Sequence, residues 1–160
     1  NNNFKFEVTM ENENKKEGKK GFNIEKLISF IEENKSFLDD NKKIGIFAVG
    51  ILVKLVMILQ YRHLNNTPFE NKLRGLNISA QLIKKIYVEA LEKIAQYLSS
   101  SAYQDLREFI AKHFVLNSHE LSKMSNDEIS FYFVAGMELT KSFKGLTEEI
   151  EIDSETIENN

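Results

Sequence analysis

Arg62, Lys72 and Lys84 have no carboxylate three or four residues away in either direction, so no neighbour on the same helix would neutralise them. Unmatched cations of this kind suit a phosphate backbone, because each one placed against a phosphate releases a condensed counterion. Arg74 has Glu70 four residues before it and Lys85 has Glu89 four residues after it, which sets both between a binding role and a local ion pair. Lys85, Glu89 and Lys93 equally fit a solvated ladder along one helical face. Arg62, Lys72, Arg74, Lys84 and Lys85 are therefore the candidate nucleic-acid-binding residues. Residues 42–98 carry nine basic and three acidic side chains, against seven and nine in residues 1–41 and five and twelve in residues 99–160. The formal net charge of −3 conceals a basic middle between acidic flanks, a distribution that suits phosphate contact although the total does not.

Other chemistry finds little support. His63, His113 and His119 fall in no HExxH or comparable zinc pattern, and a helical pair six residues apart, such as His113 and His119, does not converge on one ion. The chain has no cysteine, which removes disulfides, thiolate ligands and thiol nucleophiles together. No Gly-rich phosphate loop and no GxSxG elbow occur. No enzyme activity, cofactor or metal is expected; a hydrolase would need a cleft in which His113 or His119 meets carboxylates. Phe131, Tyr132 and Phe133 at helical spacing read as core, with base stacking open only to a ring that is exposed.

The elements that must position these residues are helices. With 160 residues, 42 % hydrophobic content, one proline and seven glycines, the chain suits a single all-α domain better than a turn-rich β fold. Asn23 opens a first helix to about Leu38, with Ile24, Leu27, Ile28, Ile31 and Leu38 as its apolar stripe. The run Ile44 to Leu59 is 16 residues long and apolar nearly all round, as befits a central helix covered on every side. It is shorter than the roughly 20 residues a bilayer requires and holds Lys54 near its middle, so a membrane role is not expected. Lys54 is expected to snorkel along a groove of the bundle. Gly45 and Gly50 lower helicity there but allow close approach by a neighbour.

"TPFE" gives Thr67 as N-cap, Pro68 at the first position and Glu70 completing a capping box, with Gly75 ending that helix. Asn77 or Ser79 caps the next, whose core face is Leu82, Ile83, Ile86, Ala90, Leu91, Ile94 and Leu98. "SAYQ" at Ser101 to Gln104 and "SNDE" at Ser125 to Glu128 read as two more capping boxes, with helices to about Leu116 and Phe143. The expectation is a single bundle of five or six helices over residues 22–145, between a charged N-terminal segment (1–21) and an acidic tail (146–160). Alternation at Phe4, Phe6, Val8 and Met10, and at Ile150 and Ile152, allows short strands in flexible tails. The charged, Asn-rich start holds no apolar leader run.

"GIFAVGILVKLVMILQYRHLNNTPFENKLRGLNIS", followed by "MSNDEISFYFVAGMEL", resembles the C-terminal helical region of the large subunit of type I-B CRISPR Cascade complexes. The resemblance runs from about Ile44 to Lys144. Its most specific pieces are Phe47-x-x-Gly50, then Gln60, Pro68-Phe69, Leu73-x-Gly75-Leu76, Asp127-Glu128 and Tyr132-Phe133-x-x-Gly136. It implies a non-catalytic helical bundle that is also made as a separate small subunit by internal translation. It further implies contacts with other Cascade subunits and with crRNA-guided target DNA, as the single-stranded non-target strand, together with self-association in the complex and a cytoplasmic location. Protein reading backbone while guide pairing reads sequence fits a basic middle without an active site. The alternative is a helical protein–protein scaffold or adaptor whose basic face meets an acidic partner.

Overall fold

A computed structural model of the 160-residue chain describes residues 23–114 and 118–143. Its elements are α1 (Ile24–Glu33), α2 (Asn41–Tyr61), α3 (Pro68–Arg74), α4 (Ala80–Ile94), α5 (Ser100–Phe114), α6 (Ser118–Leu121) and α7 (Asn126–Leu139), followed by a 3-10 turn, Thr140–Ser142. The fold is all-α, with seven helices among the described residues rather than five or six, two of them short. The flexible tails expected at both ends, with the short strands that alternation allows in them, lie outside the described residues.

The apolar run becomes the centre of the molecule. Every residue of α2 from Gly45 to Gln60 is buried, because a helix without a polar face is stable in water only when helices surround it. Asp40 caps α2 by accepting from the Lys43 amide at 3.0 Å, so the helix runs to 21 residues. That is long and apolar enough to cross a membrane, so the 16-residue apolar run understates the helix and its length does not exclude a span. What distinguishes α2 here is cover: it lies almost wholly inside the protein.

α7 is the main partner of α2, and the two cross at a pair of glycines. A Cβ added at Gly50 would collide with the carbonyl oxygen of Phe133 and stand 3.0 Å from the Gly136 Cα. One added at Gly136 would collide with the carbonyl oxygen of Phe47 and stand 3.1 Å from the Gly50 Cα. The contact is reciprocal, each Phe-x-x-Gly seating its glycine against the backbone at the other's phenylalanine. Close approach was expected of Gly50, and Gly136 supplies its other half.

Three helix limits differ from expectation. α1 stops at Glu33, not near Leu38, because the Asn34 side chain donates to the Phe30 carbonyl at 2.8 Å and its amide bonds the Ile31 carbonyl at 3.0 Å. Local bonding of this kind ends a helix. Leu38 still reaches the core from the following segment. α5 is capped by Ser99, whose Oγ accepts from the Ala102 amide at 3.3 Å, not by a box at Ser101; three consecutive serines offer the same capping chemistry. α7 closes in a 3-10 turn in which the Thr140 hydroxyl donates to the Gly136 carbonyl at 2.7 Å. The boxes at Thr67–Glu70 and Ser125–Glu128 form as read, and Ser79 caps α4.

Candidate nucleic-acid interface

Lys54 does not snorkel. Its side chain and that of Glu70 are both fully buried, with Nζ 2.8 Å from Glu70 Oε2 and 3.1 Å from Oε1. The same ammonium donates to the Leu64 carbonyl at 2.9 Å. α2 is covered from Gly45 to Gln60, so no groove leads the long side chain to water, and the charge is matched inside instead. Burial pushes the Lys54 amine down from its ordinary range, and the Glu70 carboxylate opposes that shift. Glu70 also serves the helix start, since Oε1 accepts from the Thr67 amide at 3.0 Å, while the Glu70 amide donates to Thr67 Oγ1 at 3.1 Å. One carboxylate thus closes the start of α3 and clamps it to α2, fixing the 62–67 link between them.

The five candidate cations separate into two groups. Arg62 sits at the end of α2 with φ 63° and ψ 32°, the single non-glycine residue with positive φ among the described residues. The left-handed conformation costs an L-residue roughly 1–2 kcal/mol; here it ends α2 while the Arg62 amide still donates to the Ile58 carbonyl at 2.7 Å. Its side chain is half-buried. Arg74, also half-buried, is ion-paired with Glu138 on α7, and Lys141 lies 4.0 Å from the same carboxylate. Glu70, the local partner considered for Arg74, is committed to Lys54 instead.

Lys72, Lys84 and Lys85 are exposed. Lys72 is exposed on α3, a helix that buries Phe69, Glu70 and Leu73. Lys84 and Lys85 lie side by side on α4, whose core face is Ile83, Ile86, Tyr87, Ala90 and Ile94. The link carrying α3 into α4 is tied to α7, since the Ile78 amide donates to Ser130 Oγ at 2.9 Å. The three exposed lysines are therefore presented by packed helices, while Arg62 and Arg74 are drawn inward.

A cleft of about 530 Å³ brings His113 together with Glu32, Asp39 and Asp40. These four side chains already have structural partners. His113 Nδ1 lies 3.2 Å from the Phe109 carbonyl oxygen, Asp39 holds Lys43 at 2.7 Å, Asp40 caps α2, and Glu32 lies 3.5 Å from Lys35. Among the described residues no set of three His, Cys, Asp or Glu side chains is placed to hold a metal ion. His119 lies on α6, exposed. The partners missed in the sequence are Glu70 for Lys54 and Glu138 for Arg74, both far outside helical spacing; the capping box was the one signal that singled out Glu70.

The family model for the C-terminal domain of CRISPR-associated protein TM1802 (cas_TM1802) matches residues 1–151. That span extends past the Ile44 to Lys144 resemblance on both sides, over residues 1–43 and 145–151. No curated protein and no solved structure matches the chain.

Proposed function

The chain belongs to the family of the CRISPR-associated TM1802 C-terminal domain, and from that premise we propose that it serves a type I-B Cascade complex as a non-catalytic small subunit or as the equivalent part of the large subunit. In this reading it stabilises the assembly and holds crRNA-guided target DNA by neutralising phosphates of the displaced single strand, in the cytoplasm. The observation that carries the reading is the exposure of Lys72, Lys84 and Lys85 on packed helices. Backbone neutralisation needs fixed charge at the surface and no base-reading motif. The inward position of Arg62 and Arg74 reduces the charge available, and favours the second reading, a protein-only scaffold. The deciding experiment compares target-DNA retention by the assembled complex across a salt series, with the wild-type chain and with Lys72, Lys84 and Lys85 changed to alanine. A flatter salt dependence supports phosphate contact. Equal slopes with intact assembly would leave the scaffold as the function.

A further inference from the structure

Phe131 on α7 is 58 % exposed, more than Val88 or Ile28, the other large hydrophobics at the surface of the described residues. A single exposed apolar side chain needs no explanation, but Phe131 is the outer end of an aromatic column. Its ring lies 5.0 Å from Tyr132 and 6.5 Å from Phe37, edge-on to both, and Phe37 stands 5.8 Å from the buried Phe47. The half-buried Phe37 and Tyr132 extend the apolar surface around Phe131.

The rim of this patch is acidic. Asp127 and Glu128, both exposed, lie four and three residues before Phe131 and share its helical face. Lys43 lies 5.5 Å above the Tyr132 ring, yet its charge is matched by Asp39 at 2.7 Å. A rim of this sign repels phosphate and attracts cationic groups. We infer that the patch docks a segment of another protein subunit that presents an apolar side chain between lysines or arginines, with Phe131 as the anchor. The inference rests on the proposed membership of an effector complex. It assigns protein contact to the start of α7, apart from the lysines of α3 and α4 to which DNA contact is assigned. Aromatic side chains are enriched at the centre of interfaces inside a more polar rim, where a few such anchors supply most of the binding energy.

The test is assembly of the full chain with the co-encoded effector subunits and crRNA, titrated for wild type, Phe131→Ala, and the pair Asp127→Asn with Glu128→Gln. Glutamine keeps the capping box, and the exposed Phe131 leaves the fold intact when truncated, which thermal unfolding checks. Phe131→Ala should weaken assembly by about 30-fold or more, the scale of a hot-spot truncation. The neutralised rim should slow association and make it less sensitive to salt. If the wild type assembles and Phe131→Ala assembles equally well, the docking surface is refuted while the proposed function stands. If the wild type does not assemble, the proposed function falls and the docking surface with it. If Phe131→Ala lowers DNA affinity with assembly unchanged, the patch stacks a nucleobase. If it abolishes self-association of the isolated chain, the occupant is a second copy. Either result overturns the inference.

Discussion

Lys54 and Glu70 put a charge pair where apolar packing would fill the space as well, and a pair of this kind is fragile toward loss of one member. Lys54→Met leaves the Glu70 carboxylate buried with only its capping donor, so it should cost about 3–5 kcal/mol in urea unfolding. Adding Glu70→Gln should recover part of that, since glutamine still serves the capping box; a double variant no more stable than the single one would refute the pair's coupling. Exposed charges behave differently. The bond from Lys43 holds the Asp39 carboxyl below its ordinary value of 3.8, and the same bond lifts the Lys43 amine from 10.5 to about 12. The Asp39 contribution is present above pH 3.8 and lost as pH falls through the lowered value. The Lys43 contribution is complete below pH 10.5 and lost as pH rises through about 12. Asp39→Asn should therefore fall below wild type by a constant margin between those limits, and the margin should close on either side. The sequence made both ends of the buried pair conspicuous, Lys54 as an oddity in an apolar helix and Glu70 as a capping residue. It could not join them, because their contact exists only once α3 folds back on α2.

At the scale of elements, the capping boxes at Thr67 and Ser125 and the stop at Gly75 were readable, while the start of α5 and the ends of α1 and α7 were not. Thr67-x-x-Glu70 and Ser125-x-x-Glu128 satisfy reciprocal local bonds, so four residues suffice to specify them. The end of α1 depended on whether Asn34 would turn its amide back to the chain, a choice between local bonds of similar energy. Gly50 was legible as a position of close approach, while its counterpart Gly136 became evident only in the packed pair. Gly50→Ala should cost about 3 kcal/mol, the upper end of ordinary overpacking, because the methyl meets backbone that cannot rotate aside. Chemical denaturation of Gly50→Ala and Gly45→Ala side by side provides the check. Equal costs at the two sites would mean that the α2–α7 crossing is not the constraint.

For the whole molecule, the sum of charges mattered less than where each one ended up. The basic middle was visible in the sequence, and the all-α bundle around α2 followed from hydrophobic pattern alone. Which cations stay at the surface was not visible, because Arg74 finds Glu138 across the fold and Lys54 finds Glu70 in its interior. Three exposed lysines remain from the candidate set, and at about 0.7 in salt slope per single-strand phosphate neutralised, their joint replacement should flatten the slope by about 2. A change well under about 1, measured over the same salt range with assembly intact, would mean that these lysines do not neutralise phosphate and would favour the scaffold. The enclosed Lys54 amine also equips the chain with an internal clock. Amine-acylating reagents should modify the exposed lysines at once and Lys54 only when α3 swings away from α2. Its labelling rate, followed by peptide mass, should time that opening in the free chain, and should slow in an assembled particle if the particle holds the two helices shut.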